Sequence, residues 1–70
     1  PSHKNIDYVY YMKAICFYEQ IAHEELDGSN NINALENFEQ VLKRFPNSKY
    51  AKDSYQKIIL VKSLKYLVQY

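Results

Sequence analysis

The segment VLKRFPNSKYA, residues 41–51, decides how this chain folds. It runs from an apolar and basic stretch into Pro46, then into two small polar residues, and then into sequence that favours helix again. Proline disfavours the helical conformation for the residue before it, so one helix should end at Phe45. A serine hydroxyl is a good N-terminal cap, so the next helix should begin at about Ser48. The segment therefore predicts a joint between two helices.

The composition of the whole chain favours a few long helices. The chain has 70 residues, of which 47% are hydrophobic and 16% aromatic, and this length allows one domain at most. Such a content is too apolar for a disordered chain. One glycine and two prolines leave little room for the turns of an all-β fold. We therefore predict an all-α fold.

Apolar periodicity and capping residues place the helices on either side of the joint. Asn5 can cap the first helix, and Asn31 or Asn33 can cap the second. The first helix is apolar nearly all round, which is typical of a helix packed between neighbours. The predicted segments are a helix over about residues 6–26, a loop over 27–31, a helix over about 32–45, a seam over 46–48 and a helix over about 48–69.

Small and aromatic residues on the first two helices are spaced as in the tetratricopeptide repeat (TPR). Ala14 is followed three residues later by Phe17, and Ala34, Phe38 and Pro46 stand at the spacing of the A-x-x-x-F…P motif. The alanines let the helices approach, and the aromatic rings fill the space beside them. The chain departs from the repeat in having no tryptophan and a first helix that is longer by about two turns. We predict a partial TPR domain over residues 1–70: an antiparallel helical hairpin plus the first helix of the next repeat.

A longer string resembles the BamD family (also called ComL or YfiO), the TPR lipoproteins of the outer-membrane β-barrel assembly machine. The matching stretches are HKNIDYVYYM at residues 3–12 and FPNSKYAKDS at residues 45–54, and the resemblance covers residues 2–66. It implies a non-catalytic scaffold or peptide-binding segment, acting in insertion of β-barrel proteins at the periplasmic face of the outer membrane. It also implies two kinds of partner, the periplasmic domains of BamA and the outer-membrane protein substrates.

The resemblance also sets expectations for attachment and assembly. The family is anchored by a lipidated cysteine, and Cys16 does not lie in a lipobox. Membrane attachment is therefore expected only through an anchor outside this chain, and Cys16 is expected as a small buried residue. The chain starts with Pro1 and holds about one and a half repeats, so we expect a piece of a longer protein that leaves repeat faces uncovered and self-associates.

The candidate site follows from the geometry of a TPR superhelix, whose concave groove is lined by the first helix of each repeat. Tyrosine combines a large contact area with few torsions and a polar tip, which suits recognition of an extended peptide. The alternative for the tyrosines of the first helix is packing against a preceding repeat. The candidate partner-binding residues are Tyr8, Tyr11, Ile15, Tyr18, Glu19, Tyr50, Asp53 and Lys57, with Asn47, Ser48 and Leu60 beside them.

Other kinds of site find little support in the sequence. HEELD at residues 23–27 lacks the second histidine of the zinc-protease motif H-E-x-x-H. A net charge of +1 without a basic block argues against nucleic acid. We expect no enzyme activity, no metal and no cofactor. Two alternatives stay open: a generic TPR interaction adaptor not tied to outer-membrane assembly, periplasmic or cytoplasmic, and an unrelated helical-hairpin enzyme or regulator.

Overall fold

Three helices make up the computed structural model, which describes residues 5–21 and 29–67 of the chain. They are α1 (Ile6–Ile21), α2 (Ser29–Arg44) and α3 (Ala51–Leu67). α2 packs against both of the other helices and forms the middle of the array. The prediction of an all-α, TPR-like hairpin followed by the first helix of a further repeat is confirmed.

Two of the helix starts differ from the sequence prediction. α2 begins at Ser29, so residues 29–31 are helical where a loop was predicted. Asn31 and Asn33 lie inside this helix and are not its N-cap. Asparagine is a weak helix former, but Asn30 is only 6% exposed, and tertiary packing of this kind offsets a weak propensity. The predicted end of the first helix at Leu26 lies outside the described residues.

The seam between α2 and α3 is one turn longer than predicted, because α3 begins at Ala51 rather than at Ser48. The N–H of Ala51 donates to the carbonyl of Ser48 at 3.0 Å, which closes a turn ahead of the helix. The Ser48 hydroxyl accepts a hydrogen bond from the N–H of Tyr50 at 3.0 Å, as an N-cap residue does. Ser48 therefore stabilises the turn that precedes α3, although it is not the first residue of the helix.

The core lies where the small residues let the helices approach. Ala14 of α1 and Ala34 of α2 are fully buried, as is Phe38 beside them, and Ile58 of α3 completes the cluster. Each full burial of a side chain of Phe38's size contributes about 1.5–3 kcal/mol of transfer free energy. The TPR spacing of Ala14, Ala34 and Phe38 thus coincides with the centre of the fold.

α1 is less enclosed than its all-round apolar sequence indicates. Of its described residues only Ala14 is buried, while Val9 is 58% exposed. The expectation that Cys16 is buried is wrong, since its side chain is exposed on the same helix. Val9 and Cys16 are seven residues apart and share this exposed side of α1, whereas Ala14 packs with Ala34 and Phe38 of α2. Over the residues described, no helix combines the length and apolar character that crossing a bilayer requires.

Candidate partner-binding face

Side chains from α1 and from the seam and α3 meet along one face of the array. Tyr8, Tyr11 and Tyr18 are spaced three and seven residues apart, so a helix presents them on one side. Asp53 and Lys57 are four residues apart on one side of α3, and Tyr50 lies three residues before Asp53, at the end of the seam. We call these six residues the tyrosine strip: Tyr8, Tyr11, Tyr18, Tyr50, Asp53 and Lys57.

One hydrogen bond fastens the seam to the beginning of α1, and two local bonds hold its donor and acceptor in place. The Ser48 hydroxyl donates to Oδ2 of Asp7 at 2.6 Å, across 41 positions of sequence. Oδ1 of Asp7 accepts from the N–H of Tyr8 at 2.7 Å. Because Ser48 also accepts from Tyr50, one hydroxyl connects the first turn of α1 to the turn before α3. This connection brings the two halves of the tyrosine strip together.

Aromatic contacts join the tyrosines to each other and to the core. The rings of Tyr11 and Tyr50 stack with centroids 4.8 Å apart and planes inclined by 21°. Tyr8 meets Tyr50 at 5.7 Å in a tilted arrangement. Tyr11 and Tyr18 each make an edge contact with the buried ring of Phe38, both at 6.1 Å. Such aromatic pairs are worth about 0.5–1.5 kcal/mol beyond their buried area. Phe38 thus connects two tyrosines of the strip to the buried core.

A charged group lies at the centre of the strip. The Tyr11 hydroxyl donates to Oδ2 of Asp53, and the Lys57 ammonium lies 3.0 and 3.1 Å from the two oxygens of the same carboxylate. The ammonium also sits 5.6 Å from the centroid of the Tyr18 ring. Burial raises the pKa of Tyr11 to about 12, and the bond to Asp53 adds to the rise. The bond from Tyr11 lowers the pKa of Asp53 against the effect of burial, and Lys57 lowers it further.

The structure therefore links six of the eight candidate residues through a continuous series of pairwise contacts. Ile15 is half-buried and packs against the core cluster instead. Glu19 is exposed and forms no hydrogen bond or ion pair with the described part of the chain. Of the three residues expected beside the site, Ser48 is engaged with Asp7, whereas Asn47 and Leu60 are exposed. The alternative for Tyr8 and Tyr11 was packing against a preceding repeat. In the structure both rings contact Tyr50, at the end of the seam between α2 and α3.

Sequence reasoning missed a second cluster, at the end of the hairpin. The guanidinium of Arg44 donates to the Tyr10 hydroxyl at 2.7 Å and lies 5.2 Å from the centroid of that ring. It also lies 5.6 Å from the ring of Phe45. Arg44 is the only arginine in the sequence, and a planar cation stacks on aromatic rings better than lysine does. That single arginine next to the joint was the available signal.

Metal binding finds no support within residues 5–21 and 29–67, where no three His, Cys, Asp or Glu side chains group as ligands. The HEELD stretch at residues 23–27 lies outside the described residues. The polar centre of the strip holds one carboxylate, one ammonium and one phenol, each bonded to another.

The chain is similar to known proteins over nearly its whole length. A family model described as YfiO, an outer membrane lipoprotein, matches residues 1–67. Outer membrane protein assembly factor BamD of Rickettsia prowazekii is 43% identical over 61 residues, covering 87% of this chain and 24% of that protein. The factor of the same name from Caulobacter vibrioides is 38% identical over 61 residues, covering 87% of this chain and 20% of that protein. The chain thus spans a quarter or less of the length of these curated relatives. No solved structure matches it significantly.

Proposed function

Because the chain belongs to the YfiO family of outer membrane lipoproteins, we propose that it is a non-catalytic, peptide-binding segment of an outer membrane protein assembly factor. Its relatives carry that description, and it corresponds to a quarter or less of each of them. In this proposal it acts at the periplasmic face of the outer membrane in the insertion of β-barrel proteins. Its partners are segments of those substrates and the periplasmic domains of BamA.

The observation that carries the proposal is the tyrosine strip. It presents aromatic faces, among them the 45%-exposed ring of Tyr8, along a line that runs from the first turn of α1 to Lys57 on α3. An extended peptide has side chains that alternate in direction and a backbone rich in hydrogen-bonding groups. Rigid tyrosines meet both needs, since the ring supplies contact area and the hydroxyl a polar tip.

A titration with a synthetic peptide tests the proposal. The peptide copies the last strand of an outer-membrane β-barrel, and a scrambled peptide of the same composition serves as its control. The 70-residue chain is expected to bind the first more tightly than the second. Tyr8→Ala is expected to weaken binding by about tenfold, a loss of about 1.4 kcal/mol that is within the range for truncating an interface tyrosine.

Val9→Ala is the matched control variant, because Val9 is adjacent, 58% exposed and not part of the strip. Equal binding of the copied and scrambled peptides would favour the generic adaptor over an assembly role. Equal losses for Tyr8→Ala and Val9→Ala would remove the strip from the binding surface.

A further inference from the structure

The six residues of the tyrosine strip differ in how far their side chains are already bonded within the chain. Both oxygens of the Asp53 carboxylate are occupied, by Lys57 and by the Tyr11 hydroxyl. The Lys57 ammonium is held by that carboxylate and faces the ring of Tyr18. Since the carboxylate and the ammonium already neutralise each other, a charged group of a peptide gains little attraction beside them. The charged centre of the strip is therefore poorly suited to touch a peptide.

The end of the strip near the seam is open. The rings of Tyr8 and Tyr50, inclined by 51°, border an open hollow whose other lining residues are Asn5, Asp7 and Lys49. We call this the Tyr8–Tyr50 hollow. Aromatic rings prefer partners in stacked or edge-to-face geometry at centroid distances of about 4.5–7 Å. Two rings at an angle can offer one face and one edge to a third ring.

Charge does not select the occupant of the hollow. Lys49 contributes an ammonium, 5.4 Å from the centroid of the Tyr50 ring, and Asp7 contributes a carboxylate. The two formal charges cancel, and the Asp7 carboxylate already accepts bonds from Ser48 and from the N–H of Tyr8. An uncharged aromatic side chain fits this setting better than a carboxylate or an ammonium.

The ring of Tyr50 forms one wall of the hollow, and its position depends on residues outside the hollow. Tyr50 stacks on Tyr11 at 4.8 Å, and the Tyr11 hydroxyl donates to Asp53. Holding that hydroxyl restrains the position of the Tyr11 ring, on which the ring of Tyr50 is stacked. Asp53 thus acts on the hollow through two intervening contacts and without reaching it.

We propose that the Tyr8–Tyr50 hollow takes an aromatic side chain of a bound peptide, and that Asp53 is a positioning residue for this subsite. The inference rests on the proposed function, since it assigns separate parts within the same face. It divides the candidate residues into those that touch the ligand, Tyr8 and Tyr50, and those that hold the wall, Tyr11 and Asp53.

The test is an NMR titration of the 70-residue chain with N-acetyl-phenylalanine amide, with N-acetyl-alanine amide as the matched probe without a ring. The phenyl compound is expected to shift the resonances of Tyr8, Lys49 and Tyr50 along a saturating curve. The alanine compound is expected to produce no saturating shift there. The Lys57 resonances should move less than those of the hollow.

Variants at the wall test the positioning role. Tyr11→Phe keeps the ring but cannot donate to Asp53, and Asp53→Ala removes the acceptor. Each is expected to weaken the phenyl probe by about threefold or more, as loss of one hydrogen bond would. Asp53→Asn retains an acceptor oxygen and is expected to recover part of the loss. Glu39→Gln, an exchange of an exposed carboxylate on α2, is the control and should leave the affinity unchanged.

Several results would overturn the inference. Saturating shifts centred on Asp53 and Lys57, or no saturation anywhere, would remove the hollow as a subsite. An unchanged affinity in folded Asp53→Ala and Tyr11→Phe chains would remove the positioning role, and Tyr11→Phe alone decides this if Asp53→Ala fails to fold. A barrel-strand peptide that binds elsewhere on the chain contradicts this inference alone. A filled hollow in a chain that binds no barrel-strand peptide contradicts only the proposed function.

Discussion

Replacing Phe38 tests whether one side chain supports both the core and the tyrosine strip. Phe38 is fully buried, and its ring makes edge contacts with Tyr11 and Tyr18. Phe38→Leu keeps most of the apolar volume, a change that usually costs less than about 1.5 kcal/mol. It also removes two aromatic contacts of about 0.5–1.5 kcal/mol each. We therefore expect a loss of roughly 1–4 kcal/mol in the free energy of unfolding.

That loss is large for a chain of this length. Typical stabilities per residue give about 3.5–10 kcal/mol for 70 residues. Since about 1 kcal/mol lowers Tm by about 4–8 °C in a small domain, Phe38→Leu should lower Tm by at least roughly 4–8 °C. Phe38→Ala, which leaves a cavity, should cost about 3–5 kcal/mol and unfold much of the population.

The assay is thermal and urea unfolding followed by far-UV circular dichroism, at one low protein concentration. Tyr55→Leu is the matched aromatic-to-leucine control, because Tyr55 is 58% exposed on α3. It should change the free energy of unfolding by less than about 0.5 kcal/mol. If the two leucine variants have the same Tm, the ring of Phe38 does not support the fold in the way described.

Three further predictions concern other parts of the array. Ser54 is fully buried and its hydroxyl finds no partner among the described residues, so Ser54→Ala should stabilise the chain by about 1 kcal/mol in urea unfolding, and a loss of stability would indicate a hydrogen bond. The Tyr11–Asp53 bond should make the free energy of unfolding depend on pH in acid and in alkali. In acid, the contribution of the bond is complete above the ordinary Asp pKa of 3.8 and is lost as the pH falls through the lowered pKa of Asp53. In alkali, it is complete below the ordinary Tyr pKa of 10.0 and is lost as the pH rises through the Tyr11 pKa of about 12. Urea midpoints of Tyr11→Phe that match the unaltered chain at pH 7 but differ from it at pH 3 would contradict this. The chain is predicted to self-associate through uncovered apolar faces, of which α3 offers Ile59 at 47% exposure, so Ile59→Lys should lower the average mass in sedimentation equilibrium. A monomeric unaltered chain at high concentration would refute that prediction.

The architecture was accessible from sequence because its signals are local. Pro46 ends α2 wherever the chain goes next, and the Ala34–Phe38 spacing places a small and a large residue on one helix face. Both side chains are fully buried. The start of α2 was not accessible, since an asparagine-rich stretch predicts a cap and a loop. Burial of Asn30 is a tertiary effect that no local rule contains.

The candidate site also has a part that local sequence predicts and a part that only tertiary contacts determine. Helical spacing put Tyr8, Tyr11 and Tyr18 on one face, and the TPR resemblance put that face beside Asp53. The bond between Tyr11 and Asp53 joins residues 42 positions apart, and nothing in either local sequence shows that the two groups satisfy each other. The predicted burial of Cys16 was wrong for a related reason. Because α1 is apolar on all sides, its sequence does not reveal which side the other helices leave uncovered.

The central claim is that one face, built from α1 and the start of α3, receives an extended peptide. Site-specific photo-crosslinking tests it most directly, with a photoreactive amino acid placed at Tyr8 or, on the exposed surface of α2, at Glu39. The chain is irradiated with the labelled barrel-strand peptide and an excess of its scrambled form. We expect a specific crosslink from position 8 and none from position 39. A crosslink from position 39 alone, or equal yields from both positions, would contradict it.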